Sequence, residues 1–371
     1  MLSPADDYLI HQLPETIDHV GSSDRNFFSR YYFNAHDDRG EVFLIAGMGQ
    51  YPNLGVTDAF ATVVHGDVQH VVRASRELGA DRLNTRVGPI AVEVLEGLRR
   101  LRVVCDPNEW GVAFDLTWQG TVPAFEEPRH FRRQHGRVVE DYLRLSQTGR
   151  WTGTLSVGDR TWTVEPDRWW GVRDHAWGIR PIGPPEPAGI EATRPPFEGM
   201  FWHYCPIQFP DFTILYIAGE DADGKRTHEE AVRLYPFGSG REPERLGSPR
   251  HAIEFRSGTR EATHARLWIP EAGGRELVID AELLRRCWIG AGTGYGYFDP
   301  GWIHGMYQGP LKVGGLRWDT TDPEFRSRFG FVTDTAARFT LDGRVGYGLF
   351  ELMILGVYRP YGFTGWDTVA P

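Results

Sequence analysis

The sequence predicts an all-β protein built as two antiparallel β-barrel or β-sandwich domains with few helices. Three observations lead there. Turn residues recur at short intervals, with apolar residues alternating between them. Helical periodicity over any long stretch is nearly absent. A segment with six prolines, "PIGPPEPAGIEATRPP" at 181–196, divides the chain where no strand can persist.

The elements follow in chain order. "YYFNAHDDRGEVFLIAG" reads as a hairpin turning at Asp37 to Gly40, and "ATVVHGDVQHVVRA" as a second turning at His65 to Asp67. "RWTGTLSVGDRTWTVE" is a third. Beyond the prolines, "FTILYIAGEDADGKRTHEEAVRLY" turns at Asp221 to Gly224, and "AARFTLDGRVGYGLFELMIL" near Asp342 and Gly343. "DPEFRSRF" allows a short helix with Pro323 near its first position. The expected domains are 1–185 and 196–371. No repeat at residue level relates the two halves.

Composition limits the function classes. The 371 residues are 41% hydrophobic and 24% charged, which is globular rather than disordered. The net charge of −10, without a basic block, does not suit nucleic-acid binding. The start of the chain lacks the pattern of a secretory signal, and no apolar run is long enough to be read as a membrane span. Cys105, Cys205 and Cys287 are scattered and odd in number, so neither a disulfide framework nor a zinc cluster is expected. A cytoplasmic monomer or homodimer with a hydrophobic small-molecule partner is the expectation.

Familiar chemical motifs are missing. There is no H-E-x-x-H, Cys-x-x-Cys or G-x-S-x-G. "GAGTGYGYF" at 290–298 is glycine-rich, but it has the wrong spacing for a dinucleotide loop and no βαβ context. No metal site and no cofactor are expected.

The stretch that carries chemistry is "WWGVRDHAWGIRP", Trp169 to Pro181. As a strand it places Trp169, Gly171, Arg173, His175 and Trp177 on one face. Trp170, Val172, Asp174 and Ala176 share the other. Two readings compete. In one, Trp169, Arg173, Asp174 and Arg180 form a buried lattice of ion pairs and stacked guanidiniums, with Asp174 and Arg180 as structural ion-pair members. In the other, His175 is a proton donor set among aromatics.

"GVRDHAWGIRP" resembles the G-x-R-D-H-x-W-G signature of the AttH-like and carotenoid 1,2-hydratase (hydroxyneurosporene synthase) superfamily, which includes lipocalin-like Diels–Alderases. "GRVGYGLFE", Gly343 to Glu351, is similar to a late pattern of the same superfamily. The resemblance covers nearly the full chain. It implies two calycin-type, lipocalin-like β domains and a pocket at or near their interface for terpenoid, polyketide or similar apolar molecules. It also implies participation of His175 and Trp177. A downstream Tyr and Asp belong to the hydratase branch. "FWHYCP" offers Trp202, His203 and Tyr204 there without the aspartate, so this chain departs from the hydratase branch at that position.

Other candidates come from the residues. Glu351 lies on an apolar strand face with Tyr347, Leu349 and Met353, as a pocket acid or as the ion-pair partner of Arg173 or Arg180. "GYGYFDPGWIHGMYQG" places Tyr295, Tyr297, Trp302, His304 and Tyr307 in a glycine-rich loop, either a pocket rim or local turn packing. The expected catalytic set is His175, Trp177 and Glu351. The expected ligand-binding set is Trp169, Arg173, Trp202, Tyr204, Tyr297 and Trp302. The expected activity is that of a cofactor-independent hydratase, isomerase or cyclase. The alternative is a carrier or sensor of a hydrophobic ligand that uses the same cavity without turnover.

Overall fold

The computed structural model describes residues 3–9, 16, 18–134, 136–187, 197–296 and 298–371. Residues 188–196 of the proline-rich segment and Tyr297 lie outside them. The chain is all-β, as the turn spacing predicts, with one short α-helix among the described residues. It forms two compact units: Met1–Pro184 with Gly290–Thr320, and Pro185–Ile289 with Thr321–Pro371.

Unit 1 opens with a 3-10 turn, Pro4–Asp7. The hairpins expected from the sequence follow as β1 (Phe27–Asp37), β2 (Val42–Tyr51), β3 (Val56–His65) and β4 (Val68–Glu77). Then come β5 (Arg86–Val87), β6 (Ile90–Glu96), β7 (Arg100–Cys105), β8 (Val112–Gly120), β9 (Phe125–Glu126) and β10 (His130–Gln134). A long β11 (Arg137–Val157), β12 (Arg160–Val164) and β13 (Trp169–Ile179) complete this stretch. Unit 2 contains β14 (Gly199–Gln208), β15 (Thr213–Asp221), β16 (Arg226–Leu234), β17 (Glu244–Arg245), β18 (Arg250–Phe255), β19 (Ala262–Pro270) and β20 (Glu276–Cys287). After β21 (Leu311–Asp319) come the helix α1 (Pro323–Phe329), β22 (Val332–Leu341) and β23 (Arg344–Gly356).

The sequence assigns everything after residue 196 to the second domain, but Gly290–Thr320 packs in unit 1. The reason is β21, which pairs antiparallel with β4 along its whole length, Leu311 opposite Arg76 through Asp319 opposite Val68. Without it β4 would be an open edge.

The unit 1 sheet runs β21-β4-β3-β2-β1-β13-β11-β8-β7-β6-β5. Its twist brings the two ends together, and side chains bridge the gap. Arg76 on β4 donates from Nε to the Arg86 carbonyl at 2.8 Å and from Nη2 to the Asn84 carbonyl at 2.7 Å. Unit 2 runs β17-β16-β15-β14-β23-β22-β20-β19-β18 and curls likewise. There Arg226 on β16 donates to the Pro249 carbonyl, beside β18, at 2.7 Å.

The unit 1 interior is aromatic. Trp118 and Trp151 are both buried, with ring centroids 5.1 Å apart. Gly149 and Gly171 face each other across β11 and β13 and make room for them. A Cβ on Gly171 would lie 2.3 Å from Trp151 Nε1 and 2.2 Å from the Asn34 carbonyl that this indole donates to. Gly171→Ala is therefore expected to destabilise unit 1 by roughly 1–3 kcal/mol, as overpacking does. Urea unfolding followed by tryptophan fluorescence measures it; an unchanged midpoint would contradict this packing.

Candidate functional site

The central strand β13 lies between β1 and β11. Its ladder has no bulge from Trp169 to Ile179, so the alternation read from the sequence holds. Trp169 joins the interior core, while Trp170 faces out under the guanidinium of Arg150, its register partner on β11. The paired tryptophans thus serve two faces of one sheet.

Arg173 and His175 both point inward. His175 is sealed from solvent, and its Nε2 lies 2.9 Å from Ser29 Oγ on β1. Its ring is flanked by Tyr31 at 4.6 Å and Trp177 at 5.2 Å between centroids. Trp177 is partly exposed. Leu145 on β11 stands opposite His175 and is buried.

Arg173 is committed to structure. Its Nη1 donates to Asp7 Oδ1 at 2.5 Å, and both side chains are 0% exposed. Its Nε donates to Gln147 Oε1 at 2.8 Å. Gln147 in turn donates to the carbonyls of Leu98 at 2.9 Å and Val122 at 2.7 Å. The Leu98 N–H closes the circuit on Asp7 Oδ2 at 2.7 Å. Leu98 has φ 61°, the left-handed region that a branched side chain rarely adopts, and it is held there from both its polar groups. Tyr31 OH donates to the Asp7 carbonyl. The N-terminal turn therefore plugs the barrel beside His175.

A third polar pair occupies the same interior. Gln50 on β2 is the register partner of Ser29. Its Oε1 accepts from Arg82 Nε at 3.1 Å, and its Nε2 donates to the Arg82 carbonyl at 2.7 Å. Arg82 is fully buried and also donates to the Leu9 carbonyl. Burial pulls its pKa down to about 10.

The other residues singled out by sequence stand elsewhere. Asp174 is on the outer face opposite Tyr32 and Ser146, where its charge favours ionised Arg30. Arg180 differs from its expected ion-pair role: its guanidinium lies over Phe28 at 4.9 Å and Tyr142 at 5.4 Å. Among the described residues it has no carboxylate partner. Trp302 is buried under Arg73, 4.4 Å from its ring, on the outer face of unit 1. This glycine-rich loop is pinned rather than open. Asp58 Oδ2 accepts from Gly305 N at 2.7 Å, and Arg73 pairs with Asp299 at 2.7 Å.

Trp202, Tyr204 and Glu351 belong to unit 2. Tyr204 is buried and sits opposite Glu351, which sits opposite Asp334. Trp202 stacks on His228 at 5.8 Å. The carboxylate that Arg173 uses is Asp7, not Glu351.

Sequence reasoning missed Asp7, Ser29, Gln50, Arg82 and Gln147. Only "SPAD", which caps the N-terminal turn through Ser3 and Asp6, hinted that this end is ordered. It also missed a cluster in unit 2. His251 places Nδ1 2.7 Å from Tyr361 OH and Nε2 3.3 Å from Glu220 Oε1, and Arg226 lies 3.2 Å from the same oxygen. Tyr358 OH donates to Glu220 Oε2. Burial opposes the Glu220 charge, but the bonds from His251 and Tyr358, with Arg226, hold its pKa below the ordinary value. These groups span the seam where β15 and β16 meet β18. Among the described residues, no three His, Cys, Asp or Glu side chains are grouped to hold a metal ion, and no helix is long and apolar enough to cross a membrane.

A surface groove of about 710 Å³ is lined by Asp18–Ser23, Pro52, Asn53, Gly55 and Leu78–Ala80. It contains none of the sequence-predicted site residues.

The chain belongs to a family of unknown function, DUF8625, whose sequence pattern matches residues 2–364. No curated protein matches it in sequence. An AttH-like protein from Nitrosomonas europaea shares the fold at 12% identity and TM-score 0.51, covering 94% of this chain and 98% of that one. Kievitone hydratase from Nectria haematococca aligns at 13% identity and TM-score 0.49, covering 98% of each chain. CghA aligns at 11% identity and TM-score 0.46, covering 90% of this chain and 89% of that one. The AttH-like resemblance read from "GVRDHAWG" is thus matched by the fold.

Two outcomes are expected. Asp7→Asn should cost about 3–5 kcal/mol by leaving Arg173 buried without its counter-ion, and Arg173→Met in the same chain should restore part of that loss. Denaturant melts of the three variants test it; additive losses would count against the pair. The second concerns pH. Burial lowers the pKa values of His36, His203 and His304 below 6.5, most strongly for His203. Each binds its proton less readily in the folded chain than in the unfolded one. Stability is therefore complete above pH about 6.5 and falls as pH drops below it, by up to about 1.4 kcal/mol per pH unit per histidine. His203→Gln should flatten the slope measured between pH 7 and 5; an unchanged slope would refute the assignment.

Proposed function

We propose that unit 1 binds an apolar small molecule and that His175 transfers a proton to or from it, in a cofactor-independent hydration, isomerisation or cyclisation. The observation that carries this reading is His175 itself. It is an acid–base side chain sealed among aromatic rings, with Nε2 at hydrogen-bond distance from the Ser29 hydroxyl.

The division of labour supports it. Asp7 neutralises Arg173 and anchors β13, so that His175, two residues on, is positioned by a rigid strand. Ser29 orients the ring. With Nε2–H donated to Ser29, Nδ1 accepts a proton; with Ser29 donating, Nδ1 carries one. Proton delivery to an alkene or carbonyl would develop positive charge. The Tyr31 and Trp177 rings flank the imidazole and can stabilise that charge through their faces. Glu351, in unit 2, is not needed for this step.

The carrier reading has one observation in its favour. The group at His175 Nε2 is the Ser29 hydroxyl, a neutral partner that raises the basicity of the ring less than a carboxylate would.

The test compares wild type and His175→Gln, each incubated with a mixed terpenoid and polyketide extract and followed by mass spectrometry. Glutamine can keep the bond to Ser29, so melting should stay near wild type. Turnover should fall by about 10²-fold or more. A product heavier by one water marks hydration, and one of unchanged mass marks isomerisation or cyclisation. If His175→Gln converts as much substrate per folded molecule as wild type, His175 is not the acid. If wild type binds compounds but converts none, the carrier reading replaces the catalytic one.

A further inference from the structure

We propose that the unit 1 interior recognises an anionic oxygen group, a carboxylate or an ionised enol or phenol, at one end of its apolar ligand, with Arg82 as the principal donor. The inference rests on the proposed small-molecule site of unit 1 and names the substrate class.

The charge balance of the interior carries it. Among the described residues, two fully buried guanidiniums, Arg82 and Arg173, lie there with one carboxylate, Asp7, and Asp7 pairs with Arg173. Among the described residues the Arg82 side chain bonds only neutral groups, Gln50 Oε1 and the Leu9 carbonyl, while its backbone bonds Gln50 Nε2 and the Ala80 carbonyl. Its Nη1 is buried and has no hydrogen-bond partner among the described residues. Arg173 Nη2 is in the same condition. A buried cation left with a spare N–H costs several kcal/mol unless a counter-charge reaches it. Lowering its pKa to about 10 does not discharge it at neutral pH.

Both guanidiniums are anchored on the same N-terminal segment. Arg173 bonds the Asp7 side chain and Arg82 bonds the carbonyl of Leu9, two residues along, a step that spans at most about 7 Å between Cα atoms. A planar guanidinium offers paired N–H groups that match a carboxylate better than any neutral group does. The surroundings are apolar. Leu9, Tyr31 and Met48 are all core residues. His175 follows Arg173 by about 7 Å along the same strand face. A ligand whose acidic end meets Arg82 would thus extend its apolar body past the imidazole.

A surface groove lies at residues adjacent in sequence to Gln50 and Arg82. The groove of about 710 Å³ is bounded by Pro52, Asn53 and Gly55, just after Gln50, and by Leu78–Ala80, just before Arg82. Its volume suits a ligand of ordinary metabolite size.

The test uses two probes that share a chain and differ in charge, decanoate and 1-decanol. Each is titrated into the full-length protein, with displacement of N-phenyl-1-naphthylamine fluorescence as the signal. Wild type should bind decanoate at least about tenfold more tightly than decanol. Arg82→Gln should lose that preference and keep its decanol affinity within about twofold. Arg82→Met should behave alike and guards against a folding defect peculiar to one substitution. Melting of wild type supplies a readout that no variant can confound: decanoate should raise Tm more than decanol. Equal affinities in wild type, a preference that survives in Arg82→Gln, or binding of neither probe would each overturn the anion site. The first two results leave small-molecule binding by unit 1 intact, so this inference can fail while the role of His175 stands. Loss of turnover in His175→Gln is read separately, by mass spectrometry.

Discussion

The structure of unit 1 depends on the buried Asp7–Arg173 ion pair. Taking two charges out of water costs more than their attraction returns unless every remaining donor and acceptor is filled. Here most of them are. Asp7, Arg173, Gln147 and Leu98 form a closed hydrogen-bonded circuit that joins the N-terminal turn, β13, β11 and the β6–β7 turn. The strained backbone of Leu98 persists because the circuit holds both its polar groups. Removing one member would release the others, so the N-terminal turn, the turn at Leu98 and the placement of β13 stand together.

That circuit explains why His175 can be polar and buried at once. The ion pair absorbs the local charge and sets the strand, which places the imidazole against the Ser29 hydroxyl. The unit 2 interior is built differently. Its core is aliphatic and aromatic, with the neutral His203 held by Tyr216 and Cys205. Its charged cluster of Glu220, His251 and Arg226 lies at the seam where the curled sheet meets itself. Charge in unit 2 completes a sheet edge. Charge in unit 1 sits inside the barrel, where among the described residues Arg82 has no carboxylate partner. That contrast favours unit 1 for the proposed chemistry.

Both sheets also show how a twisted sheet ends without a closing ladder. Backbone pairing stops, and long arginine side chains reach across to carbonyls on the far edge: Arg76 in unit 1 and Arg226 in unit 2. An arginine can do this because its fork supplies several donors while its stem packs on the strand it leaves. The abundance of arginine over lysine, visible in the composition, has a structural use here.

The sequence by itself determined what depends on neighbours in the chain. Alternation and turn residues specify strands and hairpins locally, so the hairpins at Asp37–Gly40, His65–Asp67, Asp221–Gly224 and Asp342–Gly343 were legible, as was the helix at Pro323. The two faces of "WWGVRDHAWG" were legible for the same reason: an unbroken ladder preserves parity. Only the tertiary structure decided which charges meet. Asp7 and Arg173 are 166 residues apart, and Ser29 and His175 are 146 apart. No local pattern encodes such a pairing, because it follows from strand order and register. The same holds for β21, whose sequence reads as one more strand after the prolines. Its pairing with β4 depends on an exposed edge that exists only once β1–β4 have assembled. Arg82 shows the limit most plainly. In sequence it is an arginine in a loop, and only the fold encloses it inside the barrel, with no counter-ion among the described residues.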